Sequence, residues 1–281
     1  MTQKKTGYRM ANRPLGYRGK LFEAVCFQRQ LRDSLDTGDR WELSNPQIRE
    51  IDFHTAQDFI LKYEWLGSMG VTKFSYGLYI EHNGEEKLAA VVCFGVTAGT
   101  KVFSEPFGEQ WRSKGIVLVR GAAAPEAHAH SASFLIGNVM SKVAERGYRF
   151  VVAYSDPEAG EIGTIYQATN WKFFGLTNPV SYLIRPDNKR VDPKLIYKYA
   201  KKFGITRQQQ IATFVAEGYT FQRGARKLKY LKIIGDKRQQ KEILKDVRVQ
   251  FYPYMKRPVS GDMREVYKQF LELRKTVDIK T

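Results

Sequence analysis

Cysteine is almost absent. Cys26 and Cys93 are the only two in 281 residues, far apart and outside any Cys/His frame. That spacing offers neither a disulfide scaffold nor a zinc site, and it suits a reducing compartment. No apolar run reaches the ~18 residues of a membrane span, and the first ten residues are polar and basic, with no apolar leader core. Internal repeats and low-complexity tracts are also missing. These absences set the expectation of a cytoplasmic protein without membrane contact. Acidic residues are scarce in particular places: residues 1–20 hold none, against six lysines and arginines.

What is present fits a folded chain, with 43% hydrophobic and 13% aromatic residues. The formal charge of +17 is uneven along it. Residues 1–20 carry +6, residues 21–180 carry −4 and residues 181–281 carry +15. Strongly basic ends around a slightly acidic centre read either as a solvated surface or as capture of a polyanion, because neutralised phosphates release counterions. Tyr8, Tyr17, Tyr197, Tyr199, Phe203, Tyr230, Tyr252 and Tyr254 lie among these charges, a mixture found where bases stack beside phosphate contacts. A nucleic acid is therefore the expected partner, with a membrane surface disfavoured.

Periodicity outlines an α/β protein. A short helix is expected over residues 55–62, and a hairpin joins strands 75–81 and 87–95 around Asn83-Gly84. A strand over 116–119 precedes a helix over 131–145, in which Leu135, Ile136, Val139, Met140 and Val143 recur at three- and four-residue steps. Ser131 reads as its N-cap and Gly147 as its stop. A buried strand (150–154), a short helix (163–169) and a strand (171–176) follow. Beyond Pro179, two helices (194–203 and 207–217) hinge at Gly204, residues 221–234 read as a long hairpin or paired strands, and 237–245 as a helix. Four parts are expected: a basic extension (1–45), a core (46–180), a basic part completing the core and contacting DNA (181–258), and a helical tail (259–281).

The order strand, loop, long helix, strand, short helix, strand over Ile116 to Leu176 resembles the second half of the GCN5-related N-acetyltransferase fold, a mixed central sheet flanked by helices. In that family a loop written roughly P-x-R-x-x-G-x-G/A holds the coenzyme A pyrophosphate. Here Pro125 and Ala132 match, whereas Ala127 and His130 replace the arginine and the first glycine. The family's Tyr-x-x-x-Gly-Phe element stands here as Tyr166 to Trp171, ending Asn-Trp. The block Tyr166-Gln167-Ala168-Thr169-Asn170-Trp171, with Phe174-Gly175-Leu176-Thr177, closely resembles the Mom-like phage DNA adenine-modification proteins. Ala124-Pro125, Ser131 to Gly137, Arg226 to Tyr230 and Phe251 to Tyr254 are similar to the same family, so that the resemblance spans roughly Glu50 to Pro258. It implies a transferase that places a carbamoylmethyl (acetamido) group on adenine N6, shielding phage DNA in the host cytoplasm from restriction enzymes. It also implies an acyl-type donor, left unidentified, with coenzyme A disfavoured by the altered loop.

Candidate residues follow, each with a plainer reading beside it. Tyr166 can give a proton to a leaving group, or is a packed core tyrosine. Asp156, at the end of a buried strand, can orient or deprotonate an amine, or caps a turn before Pro157. Arg120, placed at a strand end, can bind an anionic donor, and Ser133 starts the long helix where free N–H groups favour an anion. Gln167 and Asn170 carry amides suited to an adenine edge, Trp171 is a stacking platform or a core residue, and Lys227, Lys229 and Lys232 are phosphate contacts. His128 and His130 have metal-ligand spacing without a third ligand, so no metal is expected; His54 is a conceivable base. Two competing functions remain: a coenzyme A-dependent N-acetyltransferase, and a non-enzymatic DNA-binding regulator using residues 195–217 as a helix-turn-helix.

Overall fold

Asn83 and Gly84 both sit at positive φ, 54° and 77°, the left-handed pair that a tight hairpin turn requires. They join β2 (Thr72–His82) to β3 (Glu85–Gly95) in the longest antiparallel ladder among the described residues. The computed structural model describes residues 40–64, 69–96, 100–179, 181–187, 190–191, 194–223 and 226–278. Most of the basic extension expected over residues 1–45 thus lies outside the described residues, as do Cys26 and the aromatics Tyr8 and Tyr17.

Seven strands form one mixed sheet. β1 (Gln47–Ile51) pairs with β2; β3 pairs with β4 (Gly115–Ala123); β5 (Phe150–Ser155) follows; and β10 (Leu228–Ile233) lies between β5 and β6 (Lys172–Leu176). Every pairing is antiparallel except β4 with β5. Residue alternation along these strands feeds two cores. Ile116, Leu118, Val151, Ala153 and Tyr230 join one, against α1 (Phe53–Tyr63), α2 (Ser131–Glu145), α3 (Thr164–Ala168) and Phe270 of α7 (Glu265–Asp278). Val117, Phe150, Val152 and Leu231 join the other, against Phe103, Phe107 and Ile243 of α6 (Lys237–Leu244).

The long helix α2 runs over the expected residues, and all five of its periodic apolar side chains are buried. Its start differs from expectation. His130 is the N-cap, without a side-chain cap bond, and Ser131 is the first helical residue, fully buried. Gly147, at φ 88°, ends the turn as expected.

Residues 221–234 do not make a hairpin with themselves. β9 (Thr220–Arg223) pairs with β7 (Ser181–Ile184), which also pairs with β8 (Arg190–Val191), in a separate three-stranded sheet. β10 instead enters the main sheet, because Leu228, Tyr230 and Leu231 are apolar enough to be buried on both faces. Residues 181–223 are therefore a lobe inserted between β6 and β10. It has its own core of Leu183, Ile196 and Phe214, made with α4 (Lys194–Phe203) and α5 (Arg207–Ala216). The stretch 181–258, read from sequence as one part, is this lobe followed by the strand and helix that close the main sheet. Among the described residues, no helix is long and apolar enough to cross a membrane.

Candidate active site

Parallel pairing between β4 and β5 is short. Gly115, Ile116 and Val117 face Phe150, Val151 and Val152, and there it stops. Beyond that point β4 continues along β3 to Ala123 while β5 continues along β10 to Ser155. The two carboxyl-terminal halves thus have separate partners, which opens a wedge at the end of the sheet where site residues of α/β proteins gather. A bulge helps shape it: Leu118 faces Phe94 and Arg120 faces Cys93, so Val119 is the extra residue. Bulges re-aim side chains beside functional sites. Arg120 therefore lies three residues inside β4, not at its end, because the strand runs on to Ala123.

Asp156 follows β5 directly and is 7% exposed. Its carbonyl accepts hydrogen bonds from the N–H groups of Ala159 (2.9 Å) and Glu161 (3.1 Å), which closes the turn containing Pro157. Its carboxylate meets Lys227 Nζ at 3.8 Å, since β10 pairs Leu228 with Ser155 and brings Lys227 alongside. Glu161 returns to within 3.5 Å of the Asp156 N–H.

Tyr166 is buried on α3 between two rings, Trp171 at 5.0 Å and Tyr230 at 5.2 Å between centroids. Burial, then the negative charge of Glu161, the neighbouring phenol of Tyr230 once ionised, and Glu64 push its hydroxyl far above the ordinary tyrosine value. The phenol therefore stays protonated throughout the physiological range. No hydrogen bond ties its hydroxyl to another side chain or carbonyl among the described residues. Glu64, the C-cap of α1, acts also on Cys93 of β3, whose thiol burial pushes up to about 11 against a smaller opposing effect of Arg120. The two glutamates thus connect the sequence-derived candidates: Glu161 stands by Asp156 and Tyr166, and Glu64 stands by Tyr166 and the Cys93–Arg120 pair. Sequence reasoning missed both, because neither belongs to a motif; Glu161 lies within five residues of two candidates, which was the one available signal.

Ser133 is in the first turn of α2, where its hydroxyl donates to the His130 carbonyl at 3.0 Å. Other candidates have structural work. The Gln167 amide nitrogen donates to the carbonyls of Ile162 (2.9 Å) and Met255 (3.3 Å) and to the Tyr230 hydroxyl (3.3 Å). Asn170 has φ 57°, a left-handed position that asparagine tolerates, and this accounts for its standing where the acetyltransferase element has glycine. Trp171 is fully buried, so it is a core residue and not a stacking platform.

Three lysines expected on phosphate are engaged within the chain. Lys227 pairs with Asp156 as above. Lys229 is 9% exposed, its ammonium paired with Glu105 and 4.6 Å from the Phe174 ring centre. Lys232 donates to the Thr169 carbonyl at 2.7 Å. Alternation explains Lys229: it points with Leu231 toward the second core while Leu228 and Tyr230 point to the first. His128 Nδ1 accepts from the His130 N–H at 3.2 Å, and no group of three metal-ligating side chains occurs among the described residues.

Three tyrosines around this region make the fold sensitive to alkali. Burial raises Tyr154, Tyr166 and Tyr230, the last to about 12. A raised value means the folded chain holds protons that the unfolded chain gives up near the ordinary value of 10.0. Their contribution is constant below that pH and is lost as pH rises above it. Urea midpoints measured at pH 9 and pH 11 should show a clear fall at the higher value; equal midpoints would contradict the burial of these phenols.

Residues 45–256 match the Mom protein family. A search of curated protein sequences found no match. Among solved structures, the chain is similar to aminoglycoside 6'-acetyltransferase type Ii (11% identity, 68% of this chain and 99% of that one, TM-score 0.35). It is also similar to an N-acetyltransferase from Staphylococcus aureus Mu50 (12%, 68% and 100%, TM-score 0.37) and to a GNAT-family acetyltransferase from Bacillus anthracis (11%, 68% and 96%, TM-score 0.35).

Proposed function

The chain belongs to the Mom protein family, and on that basis we propose that it is a transferase that modifies adenine in DNA, placing a carbamoylmethyl group on N6. The observation that carries this reading is the family match itself, which spans every candidate from Arg120 to Lys229. The wedge between β4 and β5 supplies a place for the reaction, and the buried neutral Tyr166 supplies a proton donor.

Adenine N6 is a weak nucleophile, because its lone pair is delocalised into the ring, and it is stacked within the duplex. The base must be flipped out or met in opened DNA. In the proposed step the bond from N6 to the incoming carbon forms as the bond from that carbon to its leaving group breaks. Asp156, held beside Lys227, orients the amine and takes its proton; Tyr166 gives its proton to the leaving group. Arg120 and Ser133 hold the anionic part of the donor.

Coenzyme A, used by the acetyltransferases that the loop resembles, does not fit these residues well. The His130 N–H is occupied by His128 Nδ1 and the Ser131 N–H by the His128 carbonyl at 2.8 Å. Ala127, buried at 3% exposure, stands where the pyrophosphate-binding arginine would be. No step is assigned to coenzyme A. The biological expectation is protection: plasmid DNA from cells expressing the protein should resist endonucleases that read the adenine N6 edge in the major groove. Digestion as complete as that of control plasmid would contradict it.

A further inference from the structure

Three of the lysines expected on phosphate are engaged within the chain, which turns attention to basic residues elsewhere. Lys227, Lys229 and Lys232 are held by Asp156, Glu105 and Thr169. The inserted lobe is different. Residues 181–223 hold nine basic and three acidic residues, a net +6. On α4, Lys198, Lys201 and Lys202 are all exposed, and none makes an ion pair among the described residues. With Tyr197 they occupy positions one turn apart, so they share one face of the helix.

Two aromatic rings lie exposed among these cations, Tyr197 at 61% and Phe203 at 57%. The Arg207 guanidinium, from the first residue of α5, sits 5.3 Å from the Tyr197 ring centre, and Lys202 Nζ sits 5.4 Å from that of Phe203. Scattered exposed apolar side chains need no explanation, but rings interleaved with several unpaired cations form the mixture that meets sugar and phosphate together. The face is capped and packed from beneath. Gly204 turns at φ 64°, and a reciprocal capping box between Thr206 and Gln209 starts α5. Ile196 and Phe214 lock the two helices onto the small sheet.

We propose that this face of the lobe, formed by Tyr197, Lys198, Lys201, Lys202, Phe203 and Arg207, docks the phosphate backbone of duplex DNA. The core wedge then acts on a base held near it. The proposal rests on the reading of the chain as a DNA-modifying enzyme and adds the surface that holds the substrate. It differs from a helix-turn-helix reader, because the contacts lie mainly on the first helix of the pair and carry no base recognition.

The test uses the full-length protein and a labelled duplex in a titration across salt concentrations. The triple variant K198A/K201A/K202A should bind more weakly by on the order of 10-fold at moderate salt. Its slope of log binding constant against log salt should fall by about 2.7, at about 0.9 per lost phosphate contact. K198R/K201R/K202R should restore both, which separates lost charge from lost structure, and thermal unfolding should be the same for all three. If wild type binds the duplex and the alanine variant binds with the same strength and slope, the docking surface is overturned while the enzymatic reading stands. It is equally overturned if the variant loses an unrelated protein partner instead of DNA. If wild type neither binds nor modifies DNA, the enzymatic reading falls first and the docking surface with it.

Discussion

Asp156→Ala and Tyr166→Phe should each fold and bind DNA nearly as wild type does, yet modify it on the order of 10²-fold more slowly or worse. That is the usual scale for a positioned acid or base. The structure separates these outcomes. The Tyr166 hydroxyl has no hydrogen-bond partner among the described residues, so its removal leaves no partner group unsatisfied and costs little stability. The Asp156 contact with Lys227 is long, at 3.8 Å, and the Lys227 side chain is 35% exposed and can return to water. The readout is the modified fraction of adenine, with circular dichroism and duplex binding as controls. Near wild-type modification by both variants would mean that the wedge is not the reacting site.

Trp171→Ala should act on the opposite quantity. The indole is wholly buried and packs on Tyr166, and emptying such a site typically costs about 3–5 kcal/mol through lost transfer energy and cavity. Urea unfolding should register that loss. Trp171→Phe should recover most of it, since the indole nitrogen has no partner among the described residues and a smaller ring leaves a smaller void. A Trp171→Ala protein of unchanged stability that fails only in binding opened DNA would restore the stacking role.

How far the sequence revealed this arrangement depended on whether a signal was local. Three- and four-residue spacing set the buried face of α2, and Asn83-Gly84 set the hairpin of β2 and β3, because helical faces and left-handed turns are chosen by neighbouring residues. The partners of β9 and β10 were not legible. Adjacency in sequence suggested one hairpin, whereas burial sends β9 to the small sheet and β10 between β5 and β6. Lys229 shows the same limit: its charge suggested solvent, but strand alternation placed it inward against Glu105. Asp156 was legible as a candidate from its strand end and Tyr166 from its motif, while Glu64 and Glu161 act on Tyr166, and Glu161 on Asp156, only through distances that the fold creates. The lysines of α4 were visible as charge, but only the fold shows them exposed beside the rings of Tyr197 and Phe203.

Nucleoside mass analysis of DNA from cells expressing the protein tests the central claim most directly. The expected product is a deoxyadenosine derivative heavier by one carbamoylmethyl group in place of a hydrogen. It should be abundant with the wild type and nearly absent with Asp156→Ala or Tyr166→Phe. Unmodified deoxyadenosine alone, from cells in which the folded wild-type protein is present and bound to DNA, would contradict it.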